Sequence, residues 1–242
     1  MSSSAPKPHD CRIMISPWVV AAWCLAAYLI GGLPVGWLLV RRKRYGLDLR
    51  KFGTGNIGTS NVYRHAGIDI AVIVGPLQFA QGFAPPLASR LVGLPFSASM
   101  LIGVCAVAGN GWPVYMRFNG GRGVAVATGA VAALSIAGLI ALLMCFAWGA
   151  IRGRIAIAVL LGYVLLPIVA FGFGGRDGWI VGSGCLAILV LLLLRRLEGL
   201  PRDARVYGHF WRRVYQRLVF DERPGRPLMG PRTDQGADTM RR

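Results

Sequence analysis

Charge, and acidic charge above all, is what this chain of 242 residues has least of. Asp and Glu together number 10, and charged residues make up 15% of the whole. Soluble domains carry roughly 25%, so the polar surface needed to cover a globule in water is missing, which excludes an ordinary soluble enzyme. Disorder is excluded too, because residues of the set AVILMFWYC reach 55%, far above what a self-solvating chain holds. Histidine is rare, at three, and the five cysteines (Cys11, Cys24, Cys105, Cys145 and Cys185) are odd in number. The last four lie within apolar runs and no pair has metal-ligand spacing. They read as small buried thiols, with no disulfide scaffold, no metal site and no cofactor to expect. No internal repeat of fixed period is present.

What is plentiful is uncharged apolar sequence and positive charge. Lys and Arg number 27, giving a formal +17. Such basicity occurs in nucleic-acid-binding proteins. Here, however, the charge sits between long apolar runs, at 13–40, 70–89, 91–116, 123–151, 155–175 and 178–194. A helix needs about 20 apolar residues to cross the hydrocarbon core, so the runs read as membrane spans and no nucleic-acid partner is expected. The first run is too long, and too weakly preceded by positive charge, to be a cleaved signal peptide. The run 70–89 contains Gly75, Pro76, Gly82, Pro85 and Pro86, which predicts a kinked helix packed inside the bundle, where neighbours satisfy the freed carbonyls.

Lys and Arg gather on the cytoplasmic side of a membrane. The clusters are Arg41-Arg42-Lys43-Arg44 with Arg50-Lys51, then Arg117 with Arg122, Arg152 with Arg154, and Arg195-Arg196 onward. Keeping all four inside demands an even number of crossings between neighbours. The run 123–151 must then be a hairpin of two short helices, turning near Leu134-Ser135 or Gly138, unless it is one long helix that breaks the charge rule. The expected fold is an all-α polytopic membrane bundle of about seven transmembrane helices, N-terminus outside. Residues 1–12 form a short extracytoplasmic tail, 13–196 the transmembrane domain, and 197–242 a basic, partly disordered cytoplasmic tail. Within that tail, 205–220 has the composition of a short amphipathic helix lying on anionic lipid. All basic residues but Lys7, Arg12, Arg90 and Arg176 then face the inside.

Two loops carry the polar chemistry. The stretch 46–64, GLDLRKFGTGNIGTSNVYR, is dense in Gly, Asn, Thr and Ser. Its Gly53-Thr54-Gly55-Asn56-Ile57-Gly58 matches G-x-G-x-x-G, but no strand precedes it and no βαβ unit surrounds it, so the dinucleotide reading fails. The physics survives: glycines let backbone amides approach an anion, and short polar side chains complete a nest that an arginine neutralises. A flexible loop of turn residues is the plainer alternative. The second loop, 109–124, reads GNGWPVYMRFNGGRGV and ends in Gly120-Gly121-Arg122-Gly123 directly before an apolar helix. A Gly-rich turn feeding a helix N-terminus suits an anion, and Arg122 adds a bidentate donor for phosphate.

In these loops the chain resembles the bacterial acyl-phosphate-dependent glycerol-3-phosphate acyltransferases, small seven-helix membrane enzymes. The family's first motif, G-S-G-N-x-G-A-T-N-x-x-R, is matched by GTGNIGTSNVYR at 53–64. Its second, G-H-x-x-P followed by F-x-G-G-K-G-V-A-T, is matched by Gly109-Asn110-Gly111-Trp112-Pro113 and by 118–126. YLIGGLPVGWLL at 28–39 also resembles the family's first helix, and the likeness spans roughly 25–200. There are departures: Asn110 stands for the motif His, Arg122 for its Lys, and Gln78 and Gln81 for an acidic-then-basic pair. Of the third motif, H-R-x-N-I-x-R-L, the stretch 193–199 keeps an Arg-Leu and a Gly but neither the His nor the Asn.

The resemblance implies acyl transfer from acyl-phosphate to the 1-hydroxyl of glycerol 3-phosphate, giving lysophosphatidic acid in phospholipid biosynthesis. The partners it implies are those two substrates and the lipid bilayer, and the location a bacterial inner membrane with the site on the cytoplasmic side. Gly53, Gly55, Asn61, Arg64, Gly120, Gly121, Arg122 and Gly123 would then hold the phosphates by charge-assisted hydrogen bonds. Thr54, Asn56 and Asn110 would orient hydroxyls or stabilise the oxyanion. Neither loop offers a well-placed carboxylate. Asp48 reads as a partner of Arg50 or Lys51, and the acceptor's own phosphate is the expected base. His65 and Asp69, spaced i and i+4, read as a structural pair rather than as a catalytic base. Two alternatives use the same residues: a catalytically altered relative that binds phospho-ligands or lipid, and a transporter of small phosphometabolites.

Overall fold

The computed structural model describes residues 16–43, 48–51, 55–173, 175–198, 200, 209–215 and 217. Among these the chain is helical, with no strand. Its helices are α1 (Pro17–Gly32), α2 (Val35–Lys43), α3 (Thr59–Ala66), α4 (Ile68–Leu91), α5 (Phe96–Gly111), α6 (Val124–Leu134), α7 (Ile136–Ile151), α8 (Ile155–Phe173), α9 (Gly178–Leu197) and α10 (Phe210–Tyr215). Among the described residues, five stretches are long and apolar enough to cross a membrane: Pro17–Lys43, Ile68–Leu91, Phe96–Met116, Ile155–Gly172 and Gly178–Leu197. Helices α6 and α7 are shorter apolar helices. The chain is therefore an all-α, multi-pass membrane protein. Large apolar side chains such as Leu25, Leu77, Leu101, Met144, Ile168 and Val190 stand exposed on it, which in water would be a liability and in lipid is solvation.

Residues 123–151 form two helices, broken at Ser135, whose backbone is extended (φ −152°, ψ 103°). Its side-chain oxygen accepts from the Gly138 amide at 3.0 Å and caps α7. At 11 residues, α6 is only about 16 Å long. The first span is interrupted too. Pro34 cannot donate, and the carbonyls of Ile30 and Leu33 beside it accept from Gln81 Nε2, at 2.8 and 3.0 Å, in addition to local backbone amides. Helix α4 runs without interruption through Pro76, Pro85 and Pro86. Gln81, Gly82, Pro85 and Pro86 are buried, as expected of a helix packed inside the bundle, whereas Pro76 is exposed.

Helix α4 packs against α6, α5 and α1; α5 also packs on α1, α6 and α9; α8 lies against α7 and α9. Two of these crossings are closed by reciprocal glycines. A Cβ on Gly82 would lie 1.8 Å from the Val126 carbonyl oxygen, and one on Gly129 would lie 2.1 Å from that of Phe79. The α1–α5 crossing repeats the device with Gly31 against Ala106 and Gly109 against Tyr28, each 2.0 Å from a carbonyl oxygen. Without a hydrophobic drive between helices in lipid, such close backbone approach supplies the van der Waals contact that holds them. The main core gathers Ala27, Ile102, Ala106, Val126, Ala130, Leu142 and Ile188. A second, smaller core of Val40, Leu49, Val62, Ile70 and Val74 lies beneath the first polar loop.

Of the C-terminal segment read as an amphipathic helix over 205–220, α10 and Arg217 are described. Phe210, Trp211 and Tyr215 are exposed on α10. Apart from His209, the rest of that segment, and the tail 1–12, lie outside the described residues.

Candidate active site

The first loop is held by side chains that turn inward. Asn61 is buried and donates from Nδ2 to the carbonyls of Asn56 (2.8 Å) and Leu49 (3.3 Å). Asn56 Oδ1 accepts from the Gly58 amide at 3.1 Å, a tight local turn entered through Gly55 at φ 66°, a left-handed conformation suited to glycine. Gln78 on α4, also buried, accepts from Thr59 Oγ1 (2.9 Å) and donates to the Ile57 carbonyl (3.4 Å). Outside the membrane, the Arg50 guanidinium chelates Asp48 at 2.8–3.2 Å and holds its carboxyl down at about 2, with the Trp37 indole as a further donor.

The second loop is tied to the first. The Gly121 amide donates to the Asn110 carbonyl at 2.9 Å. A Cβ on Gly121 would stand 2.6 Å from Asn110 Oδ1 within the second loop, and in ordinary contact, 3.5 Å, with Asn56 Oδ1 of the first, so the turn is tight on its own side and lies directly against the first loop. Asn110 itself is buried and donates from Nδ2 to the Gly31 carbonyl at 3.2 Å. From the far side comes Arg195, buried at the end of α9, donating to the carbonyls of Gly120 (2.9 Å) and Gly121 (3.1 Å) and pairing with Glu198. Gly123, at φ 78°, turns the chain into α6.

These loops border a cavity of about 1050 Å³. Its wall takes Asn56, Ser60, Arg64, Asn110, Arg122 and Arg196 from the loops and helix ends. From there it passes Phe79 on α4, Ala125 on α6, Phe146 on α7, Leu160 on α8 and Leu189 and Leu192 on α9. Within the apolar part, Thr128 and Tyr163 form a buried hydroxyl pair 3.0 Å apart, both within reach of the Val124 carbonyl. Among the described residues of the wall there is no Asp, Glu or His. Three guanidiniums joined to an apolar channel suit a ligand with phosphate at one end and hydrocarbon at the other.

Of the residues singled out from sequence, Asn56, Arg64, Asn110, Arg122 and Gly123 share this cavity. Gly55, Asn61, Gly120 and Gly121 do not line it: they shape the two loops behind the wall. Gly53 and Thr54 lie outside the described residues. His65 is off the wall; partial burial and the neighbouring Arg64 charge push it below its ordinary value, so it stays neutral near pH 7. Gln78, Arg195 and Arg196 were not among the site residues expected from sequence, although Gln78 stands at a position of a family motif pair and Arg195 and Arg196 fall in the stretch compared with the third motif.

An apolar helical bundle whose polar loops border a cationic, amphipathic cavity defines an integral membrane protein with a site suited to a phosphate-bearing amphiphile. Comparison with known proteins narrows that class. Residues 21–201 match the family model described as glycerol-3-phosphate acyltransferase. The chain is 35% identical over 178 residues to glycerol-3-phosphate acyltransferase 5 of Dehalococcoides mccartyi, covering 72% of this chain and 76% of that one. With the glycerol-3-phosphate acyltransferase of Dinoroseobacter shibae it shares 39% over 174 residues, 69% of this chain and 81% of the other. Among solved structures it is similar to PlsY (YgiH), an integral membrane glycerol 3-phosphate acyltransferase. The glycerol 3-phosphate form superposes with TM-score 0.66 at 28% identity, and the lysophosphatidic acid form with 0.64 at 27%; each match covers 79% of this chain and 94% of the other. The chain belongs to the glycerol-3-phosphate acyltransferase family.

Proposed function

We propose that this protein transfers the acyl group of an acyl-phosphate to the 1-hydroxyl of glycerol 3-phosphate, forming lysophosphatidic acid and inorganic phosphate. The observation that carries the reading is one cavity that joins Arg64, Arg122 and Arg196 to an apolar channel between α4, α6, α8 and α9. Guanidiniums suit the two phosphates; the channel suits the acyl chain. Acyl-phosphate is an activated mixed anhydride, so positioning and electrostatic stabilisation can supply much of the rate. The acceptor hydroxyl attacks the acyl carbon, the tetrahedral oxyanion collapses, and the acyl–phosphate C–O bond breaks. Asn56, whose Oδ1 is engaged by Gly58, has Nδ2 to offer the oxyanion, while Asn110 holds the second loop in place beside it. With no carboxylate or imidazole on the described wall, the attacking proton passes to the acceptor's own phosphate, whose second pKa lies near 6.

The rest of the reading follows the basic clusters. The N-terminus and residues 1–12 lie outside, 13–196 form the transmembrane acyltransferase domain, and the basic tail 197–242 lies in the cytoplasm. The cavity then opens to the cytoplasmic face of a bacterial inner membrane, where the substrates are.

The test is turnover by the purified protein in detergent with labelled glycerol 3-phosphate. Acyl-phosphate should give one lysophosphatidic acid per phosphate released, acyl thioesters should give none, and Arg64→Ala should lose at least about 100-fold. Turnover with thioester but not acyl-phosphate would overturn the donor. Binding without product would make the chain a binder, and ligand flux in proteoliposomes without acylated product a transporter.

A further inference from the structure

Arg196 reaches the cavity from the end of α9, where the third sequence motif of the resemblance lacks its His and Asn. Its long side chain is nevertheless fixed at two points. Nε donates to the backbone carbonyl of Arg217 at 2.8 Å, and Nη1 to that of Ala156, at the start of α8, at 3.4 Å. Arg217 answers with its own guanidinium: Nη1 donates to the Arg196 carbonyl at 3.3 Å and to the Glu198 carbonyl. Arg217 is buried at 4% exposure and lies beyond residues 21–201, the segment matched to the family.

The exchange has a plain physical logic. The last carbonyls of a helix have no intrahelical donors, and a cation there also meets the negative end of the helix dipole. The buried Arg217 guanidinium, through Nη1, satisfies both demands, and in doing so it brings its own carbonyl to Arg196 Nε. A guanidinium held at Nε has few rotamers left to lose when it closes on a phosphate, and ordering ahead of binding is a source of affinity.

We infer that Arg217, a residue of the C-terminal segment outside the family-matched region, is a positioning residue that locks Arg196 into the substrate cavity. The inference rests on the proposed function for which phosphate Arg196 meets, but the geometry asks only that it meet one.

A double-mutant cycle tests it in the full-length protein. Arg217→Met should raise the KM of one of the two phosphorylated substrates about tenfold, with kcat changed less than threefold, since uniform binding is what is lost. Arg196→Met should raise the same KM at least as much, and Arg217→Met should add nothing further in that background. Arg217→Lys, which keeps the charge without the planar guanidinium, should fall between; if Arg217→Met does not purify, Arg217→Lys and Arg196→Lys run the same cycle. Additive effects on KM, or a loss of thermal stability and kcat with both KM values unchanged, would overturn the inference. Calorimetric binding of glycerol 3-phosphate and, separately, of acyl-phosphate repeats the cycle without turnover. Non-additive binding in a protein that makes no product would sink the acyltransferase reading and leave Arg217 in its role; wild type binding neither ligand would sink both.

Discussion

Arg195 Nε donates to the carbonyl of Gly121 at 3.1 Å, a contact that joins residues 74 positions apart and braces the glycine turn from behind. The arginine is buried at 6% exposure, and its fork takes the neighbouring Gly120 carbonyl as well. Hydrogen bonds from charged groups are worth about 1.5–3 kcal/mol each. Arg195→Met should therefore lower the thermal unfolding midpoint and cut kcat/KM at least about tenfold. Arg195→Lys should recover only part of both, because an ammonium cannot satisfy two fixed carbonyls as a planar fork does. Full activity in Arg195→Met would show that the turn holds its shape unaided.

Arg122 stands where the family motif carries Lys. Either cation neutralises phosphate, but only arginine binds it bidentately. Arg122→Lys should retain activity within about tenfold, while Arg122→Ala should lose at least about 100-fold. Steady-state kinetics on both substrates will separate the two, and equal losses would mean that shape rather than charge matters there.

The glycines at the α4–α6 crossing should be intolerant of a single methyl group. Gly82→Ala would place Cβ 1.8 Å from the Val126 carbonyl oxygen, and Gly129→Ala 2.1 Å from that of Phe79. Neither contact is with a flexible side-chain tip, so the helices must move apart, at about 1–3 kcal/mol or more. Gly172→Ala on α8 meets nothing within 4 Å and should be neutral or slightly stabilising, since alanine favours a helix by up to about 1 kcal/mol. Unfolding midpoints in one detergent compare all three.

The Asp48–Arg50 pair predicts a pH signature. Its carboxyl is depressed to about 2 by the Arg50 hydrogen bonds, so its contribution is complete above the ordinary carboxylate pKa of about 3.9 and disappears as pH falls towards 2. The gap in unfolding midpoint between wild type and Asp48→Asn should be constant from pH 7 to 5 and close between pH 4 and 2. It should also be small, because the pair is partly exposed. A gap that persists unchanged at pH 2 would rule out the ionised carboxylate as its source.

Much of this molecule was legible in one dimension. Uncharged runs long enough to cross a bilayer determined an all-helical membrane protein, because lipid leaves backbone groups no other partner. Arg64, Arg122, Asn56 and Asn110 stood out in the sequence as basic and short polar residues of two glycine-rich loops, and the structure brings the four onto one cavity wall. Contacts across the bundle were decided by tertiary structure alone. The break at Ser135 needed only local turn chemistry, but nothing in the residues near Gln81 announces that its amide serves the carbonyls beside Pro34. Asn61 looked like a phosphate ligand because an exposed and a buried asparagine read alike in sequence; folding turned it inward to hold Asn56 and Leu49. Arg195 and Arg196, adjacent in the chain and alike in chemistry, were given different work by the roughly 100° between successive residues on a helix. One guanidinium meets the glycine turn, the other the cavity.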